Sequence, residues 1–258
     1  MEPATYDEER PTLTAPLKIS LCLMVWNELE NCRIDVPLIP RELFAEVFAV
    51  DGGSRDGTAE YLNSVAIPVY PQPVRSLNAA YHYAVECATG DALVVFFPKG
   101  TIDPDSCLRE FVRQLNAGHE LVIASRNIKG AQNEEDGHLL RPRKWGVQAL
   151  SLFIALVWRR EGPRIHDVLH GVKAFRRKAW REMAVSPTGV TIDLETAVRS
   201  YRLRLKRTEF PVVEKARLHG ATKFAIWPTS KRLASFLIRE MFTASPKKSP
   251  DTQVAPAP

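Results

Sequence analysis

Short apolar runs and helical spacings alternate along the middle of the chain. Ile19–Val25, Val47–Val50, Ala92–Phe97 and Leu121–Ala124 are compact apolar stretches of strand length. Between them, Asn78–Cys87 and Pro104–Leu115 carry apolar residues at helical spacing. That order predicts an α/β fold, with a Rossmann-like, mostly parallel sheet flanked by helices. No internal repeat is visible. Residues 1–16 mix acids, prolines and threonines without periodicity and predict a flexible tail. Residues 17–240 predict one folded domain, and 241–258, ending in ASPKKSPDTQVAPAP, a disordered C-terminal tail. With 258 residues and 45% hydrophobic content, one substantial α/β core is favoured over two small ones.

The run Val47-Phe-Ala-Val-Asp-Gly-Gly-Ser-Arg-Asp-Gly-Thr58 stops at Asp51 and breaks into a glycine-rich turn before helical spacing begins. Open α/β sheets bind nucleotides beyond the carboxyl ends of their strands, so a carboxylate there points to ligand chemistry. Trp26 follows the first predicted strand, where an aromatic face can stack on a base. Two readings stand: Trp26 and Asp51 hold a nucleoside together, or Trp26 is core and Asp51 caps the next helix. Asn27-Glu28 fits the same pocket or a helix start. Asp56 before Gly57-Thr58 reads as an N-cap that satisfies free backbone N–H groups.

Charge narrows the partners. A formal net charge of +5 favours an anionic one: a phosphorylated substrate, an acidic membrane surface or nucleic acid. The basic residues are scattered among apolar runs, without an aromatic-interleaved patch, which argues against nucleic acid. Cys22, Cys32, Cys87 and Cys107 lack paired metal-ligand spacing, and the N-terminus does not resemble a secretion signal. A reducing, cytoplasmic setting is expected.

Three segments in order carry a family resemblance: Ile19-Ser-Leu-Cys-Leu-Met-Val-Trp-Asn-Glu28, then VDGGSRDGT, then Ala88-Thr-Gly-Asp-Ala-Leu-Val-Val-Phe96. They resemble the signatures of inverting family 2 glycosyltransferases with the GT-A fold. Ala124-Ser-Arg126, Asp167-Val-Leu-His-Gly-Val-Lys-Ala-Phe-Arg-Arg177 and Arg217-Leu-His-Gly-Ala-Thr-Lys-Phe224 are similar to later motifs of the branch that makes polyprenyl-phosphate mannose and related sugars. The resemblance spans roughly residues 17–240. It implies a nucleotide-sugar donor held by Met24, Trp26, Glu28, Asp51, Gly53 and Ser54, and a polyprenyl phosphate or other glycan acceptor.

The resemblance also implies an Asp-X-Asp motif holding Mg²⁺ or Mn²⁺ against the donor diphosphate. In its register the two aspartates fall on Phe97 and Lys99, neither of which ligates a hard cation. Asp103-Pro-Asp105 spells the tripeptide six residues late, either as a displaced metal site or as an N-cap followed by proline at the first helical position. Metal dependence is therefore left open. Lys99 either supplies fixed positive charge to the leaving diphosphate or marks a nucleotide-sugar-binding protein that has lost its chemistry.

Further cations fall in the segments the resemblance assigns to the cleft and its acceptor side: Arg126, Arg143, Lys144, His170, Lys173, His219 and Lys223. Lys99, Lys173 and Arg126 are the candidate catalytic cations, and the others are candidates for acceptor or phosphate contact. A surface role is the alternative for each. Asp193, in Thr191-Ile-Asp-Leu-Glu195, is the candidate base or acceptor-orienting group. Asp193 and Glu195 share a face on an extended segment but diverge on a helix, and they equally suit a helix start.

Two segments suggest contact with an anionic membrane. Trp145–Trp158, flanked by Arg141-Pro-Arg-Lys144 and Arg159-Arg160, is too short to span a bilayer; it suits either the interface or a buried core helix. Trp227–Phe242 places Leu233, Phe236, Leu237 and Met241 on one helical face. The expected setting is peripheral, at the inner membrane face. A soluble sugar acceptor is the alternative.

Overall fold

The computed structural model describes residues 17–137, 140–216 and 226–243. Its strands are β1 (Ile19–Val25), β2 (Glu46–Asp51), β3 (Val69–Pro71), β4 (Ala92–Phe96), β5 (Leu121–Ser125), β6 (Lys173–Arg176) and β7 (Arg207–Pro211). Its helices are α1 (Leu29–Asp35), α2 (Thr58–Ser64), α3 (Leu77–Cys87), α4 (Pro104–Asn116), α5 (Pro142–Trp158), α6 (Arg177–Met183), α7 (Ile192–Arg202) and α8 (Ile226–Phe242). The strands form one sheet in the order β3-β2-β1-β4-β6-β5-β7. Every pairing is parallel except those of β6, which runs antiparallel between β4 and β5.

The four apolar runs are the four strands expected, and both helical spacings are helices. The other three strands were not read from the sequence. β3 is short and exposed at one sheet edge, β6 opens on a lysine, and β7 alternates polar residues at the other edge.

Side chains alternate across the sheet and feed two cores, one on each face. On β1, Leu21, Leu23 and Val25 join α1, α2 and α4, whereas Cys22 and Met24 join α3 and α5 to α8. Helix α4 shows why periodicity was legible. Asp103 accepts from Ser106 N (3.0 Å), Pro104 occupies the first turn, and Cys107, Leu108, Phe111 and Leu115 are buried.

Helix α5 is core on one face and open to solvent on the other. Ser151, Ile154, Ala155 and Trp158 are buried, while Trp145, Leu152, Phe153 and Leu156 face solvent. On α8 the expected apolar face lies largely inward: Phe236 is buried and Leu233 and Leu237 pack against the same core. Among its described large apolar side chains, Ile238, Met241 and Phe242 stand out. That helix runs to Phe242, and Arg202 donates to the buried Glu240 (2.5 Å) in its last turns. The N-terminal tail 1–16 and residues 244–258 lie outside the described residues. No helix among the described residues is long and apolar enough to cross a membrane.

Candidate active site at the carboxyl edge of the sheet

Strand register brings the candidate residues to one edge. Val25 is level with Asp51 and Leu23 with Phe96, so the segments that follow, Trp26-Asn27, Gly52-Gly53 and Phe97-Pro98-Lys99, leave the sheet side by side. Arg126 leaves β5 at the same edge, and the antiparallel β6 begins there with Lys173, level with Val95 and Ile123.

Trp26 is 41% exposed, which excludes the core reading. Its Cβ lies 3.2 Å from where a Cβ on Gly52 would stand, so the glycine lets the ring settle beside the Asp51 turn. The Arg75 guanidinium sits 5.1 Å from the centre of the ring, with Nε and Nη2 donating to Gly52 O (3.2 and 3.0 Å). Arg75 was not anticipated; a lone arginine in a polar loop carries no pattern.

Asp51 is buried at the end of β2 and caps its own turn instead of the next helix. Its oxygens accept from Ser54 N (3.0 and 3.1 Å) and Ser54 Oγ (2.5 Å), across a Gly53 with φ of +87°. Ser54 Oγ also accepts from Asn27 N (2.8 Å), and Asn27 Oδ1 accepts from Arg55 N (2.7 Å), tying the ends of β1 and β2 together. Met24 is buried in the core beneath them. Glu28, also buried, accepts from Asn31 Nδ2 (2.6 Å). Asp56 accepts from Leu29 N (3.0 Å), Thr58 N (3.1 Å) and Thr58 Oγ1 (2.5 Å), so it caps the start of α1 as well as that of α2. Its role is architectural, as the sequence indicated.

Phe97 and Lys99 do occupy the turn after β4. Phe97 presses on Gly171, where an added Cβ would meet its Cε2 at 3.0 Å, and the Lys99 ammonium lies 4.9 Å from the centre of the Phe97 ring. The displaced tripeptide is a helix start and not a metal site: Asp103 is the α4 cap, and Asp105 accepts from Arg109 (2.9 Å). No group of three or more His, Cys, Asp or Glu among the described residues is arranged to hold a metal ion. The residues at this edge do not fit a hard divalent cation.

The candidate cations behave differently from their sequence reading. Arg126 is clamped by two carboxylates: Nε and Nη2 donate to Asp167 (2.8 and 3.0 Å) and Nη1 to Glu214 (3.1 Å). Burial disfavours its charge, but Asp167 and then Glu214 outweigh that and raise its pKa. Its charge is spent inside the fold. His170 is buried with Nδ1 against Ala124 O; burial first, then the neighbouring Arg126, pushes its pKa down to about 4. It is therefore neutral at pH 7, not a phosphate-binding cation.

Lys173 is fully buried; its ammonium lies 2.7 Å from Asp193 Oδ1 and donates to Thr196 Oγ1 (3.1 Å). The catalytic role expected of Lys173 is thereby corrected to support of Asp193. Arg143 and Lys144 open α5 and pair with Glu134 (2.7 Å) and Asp136. His219 and Lys223 lie outside the described residues.

Asp193 and Glu195 diverge because α7 begins at Ile192. Glu195 is buried and accepts from Ser186 N (2.8 Å) and Asn78 Nδ2 (3.2 Å), a structural role. Asp193 keeps partial access to solvent at the first turn.

A mostly parallel sheet with its polar groups gathered at the carboxyl edge defines an open α/β protein that binds its ligand beyond the strand ends. Residues 38–183 match glycosyl transferase family 2, and the chain belongs to that family. Glycosyltransferase AglJ of Haloferax volcanii is 25% identical over 209 residues, covering 80% of this chain and 66% of AglJ, just under two thirds of that relative's length. Among solved structures, glucosyl-3-phosphoglycerate synthase of Mycobacterium tuberculosis with Mn²⁺, UDP-glucose and phosphoglyceric acid is similar at TM-score 0.67 and 18% identity, over 91% of this chain and 86% of that one. The same enzyme with Mn²⁺, UDP and glucosyl-3-phosphoglycerate gives 0.65 and 16%, over 87% and 80%. At such identities the likeness concerns the fold.

Proposed function

We propose that this glycosyltransferase moves a hexose from a nucleotide-diphosphate sugar, with inversion, onto a polyprenyl phosphate at the cytoplasmic face of a membrane. The observation that carries the reading is the side-by-side exit of Trp26, the Asp51 turn and Lys99 from one sheet edge. An exposed indole beside a buried carboxylate suits a nucleoside, and an ammonium one strand away suits its diphosphate.

In this reading a phosphate oxygen of the acceptor forms a bond to the anomeric carbon as the bond to the nucleoside diphosphate breaks. An acceptor phosphate monoester is mostly dianionic at pH 7, so alignment matters more than proton removal. Asp193, held by Lys173, orients the acceptor or takes a proton from it. Lys99 stabilises the charge that develops on the leaving diphosphate. The donor set supports a reaction without a bound divalent ion, in contrast to the Mn²⁺ complexes of the structural neighbour.

The lipid acceptor rests on α5, whose exposed Trp145, Leu152, Phe153 and Leu156 are flanked by Arg143, Lys144, Arg159 and Arg160. A soluble phosphorylated acceptor is the second reading, favoured by the phosphoglyceric acid complex of that neighbour. Purified protein incubated with UDP-, GDP- and dTDP-hexoses and polyprenyl phosphate, with and without EDTA, decides between them. Lipid-linked hexose formed in EDTA is the expected product. Transfer to phosphoglycerate alone would establish the second reading, and activity abolished by EDTA and restored by Mn²⁺ would remove the role given to Lys99.

A further inference from the structure

Asp35, the last residue of α1, is nearly inaccessible to solvent. It faces the turn after β4: Oδ2 accepts from Gly100 N (2.8 Å), and the backbone amide of Lys99 also favours its charged form. Gly100 has φ of +66°, so the chain reverses there, and on its far side Thr101 O accepts from Lys215 N (2.8 Å). A buried carboxylate is costly unless satisfied. Here its partners are the two amides that follow Pro98, on the segment that carries the Lys99 ammonium.

We propose that Asp35 is the positioning residue of the Lys99 turn: by accepting the Gly100 N–H, next to the Lys99 amide, it fixes where the ammonium stands at the nucleotide crevice. The consequence for anion binding rests on the role given to Lys99 above. A carboxylate suits this task because both its oxygens only accept, whereas asparagine would turn an NH₂ toward one of the donors.

The same contacts make the turn sensitive to acid. Burial pushes Asp35 up to about 6, against the pull of the two amides, and Asp103 at the start of α4 and Glu28 just before α1 raise it further. Cys32 on α1 also faces this cluster, and Lys215 lies on the other side of Asp103. Protonation removes the charge that faces the Gly100 and Lys99 amides, and the turn loosens.

The test combines backbone amide exchange at Lys99 and Gly100 with the affinity for inorganic pyrophosphate, in the full chain and in D35N, K99A and the double variant. Protection, corrected for the intrinsic rate, should be about tenfold higher near pH 7.5 than near pH 5 in the native protein, and lost at both in D35N. Near pH 7.5, D35N and K99A should each weaken pyrophosphate binding about fivefold or more, and the double variant should bind no worse than K99A. Native protection at both amides in D35N, or native pyrophosphate affinity in D35N when K99A has lost it, overturns the proposal. If K99A binds pyrophosphate like the native protein, the role of Lys99 falls, and amide exchange alone then decides whether Asp35 holds the turn.

Discussion

The Lys173 ammonium, buried where β6 begins, lies 2.7 Å from the Asp193 carboxylate at the first turn of α7. This ion pair joins the sheet to the helix and presents an acid to the carboxyl edge. Breaking one half of a buried pair costs far more than replacing both halves.

K173M should therefore lose about 3–5 kcal/mol of stability, and the volume-matched pair K173M/D193L should regain most of it. Denaturant unfolding measures both. If Asp193 also serves the reaction, the double variant stays folded yet its kcat remains down by about 100-fold. Recovered turnover in that variant would reduce the pair to architecture.

Asp35 gives a prediction of opposite sign for stability. Its pKa is raised from 3.8 to about 6, so the folded state holds the proton more tightly than the unfolded chain. The stability contributed by the protonated form is complete below about pH 3.8 and is lost as pH rises through about 6. D35N does not titrate there, so its stability relative to the native protein should improve by about 3 kcal/mol between the acid and neutral limits. Thermal unfolding of both proteins across that window checks the sign. A more stable variant with a looser Lys99 turn would be stability given up for a site.

W26A should leave the protein folded at a cost of about 1–2 kcal/mol read by denaturant unfolding, since the residue is 41% exposed. Loss of a stacking face should weaken donor binding by about 1–1.5 kcal/mol, roughly tenfold, as read by calorimetry with the nucleotide sugar that the donor screen selects. Unchanged affinity would remove the indole from the nucleoside pocket.

On α5, L152S/L156S alters two exposed side chains and should leave the fold intact. Binding to vesicles containing anionic lipid should fall by about tenfold or more, and binding of the native protein should weaken as salt rises. Equal vesicle binding by variant and native protein would turn attention to the soluble acceptor.

Legibility along the chain follows the range of the interaction that decides each feature. Ile19–Val25 and Ala92–Phe96 are covered on both faces, so their apolar runs announced them as buried strands. The Asp103-Pro104 cap and the bond from Thr58 to Asp56 were readable for a related reason: they act within a few residues, whereas the Asp56 contact with Leu29 spans 27 and was not. Strand β6 escaped because a lysine opens it, and that lysine is tolerated only through an acid twenty residues on.

What the amino-acid order settled alone was local: the α/β alternation, the helix caps, and the misfit of Phe97 and Lys99 with a hard metal. Tertiary contact decided which charges are available for chemistry. Arg126 is spent on Asp167, 41 residues away, and Asp35 reaches Gly100 across 65. His170 stays neutral well below pH 6 because the fold buries it beside Arg126. Protonation and charge compensation depend on burial and on partners distant in the chain, and periodicity carries neither.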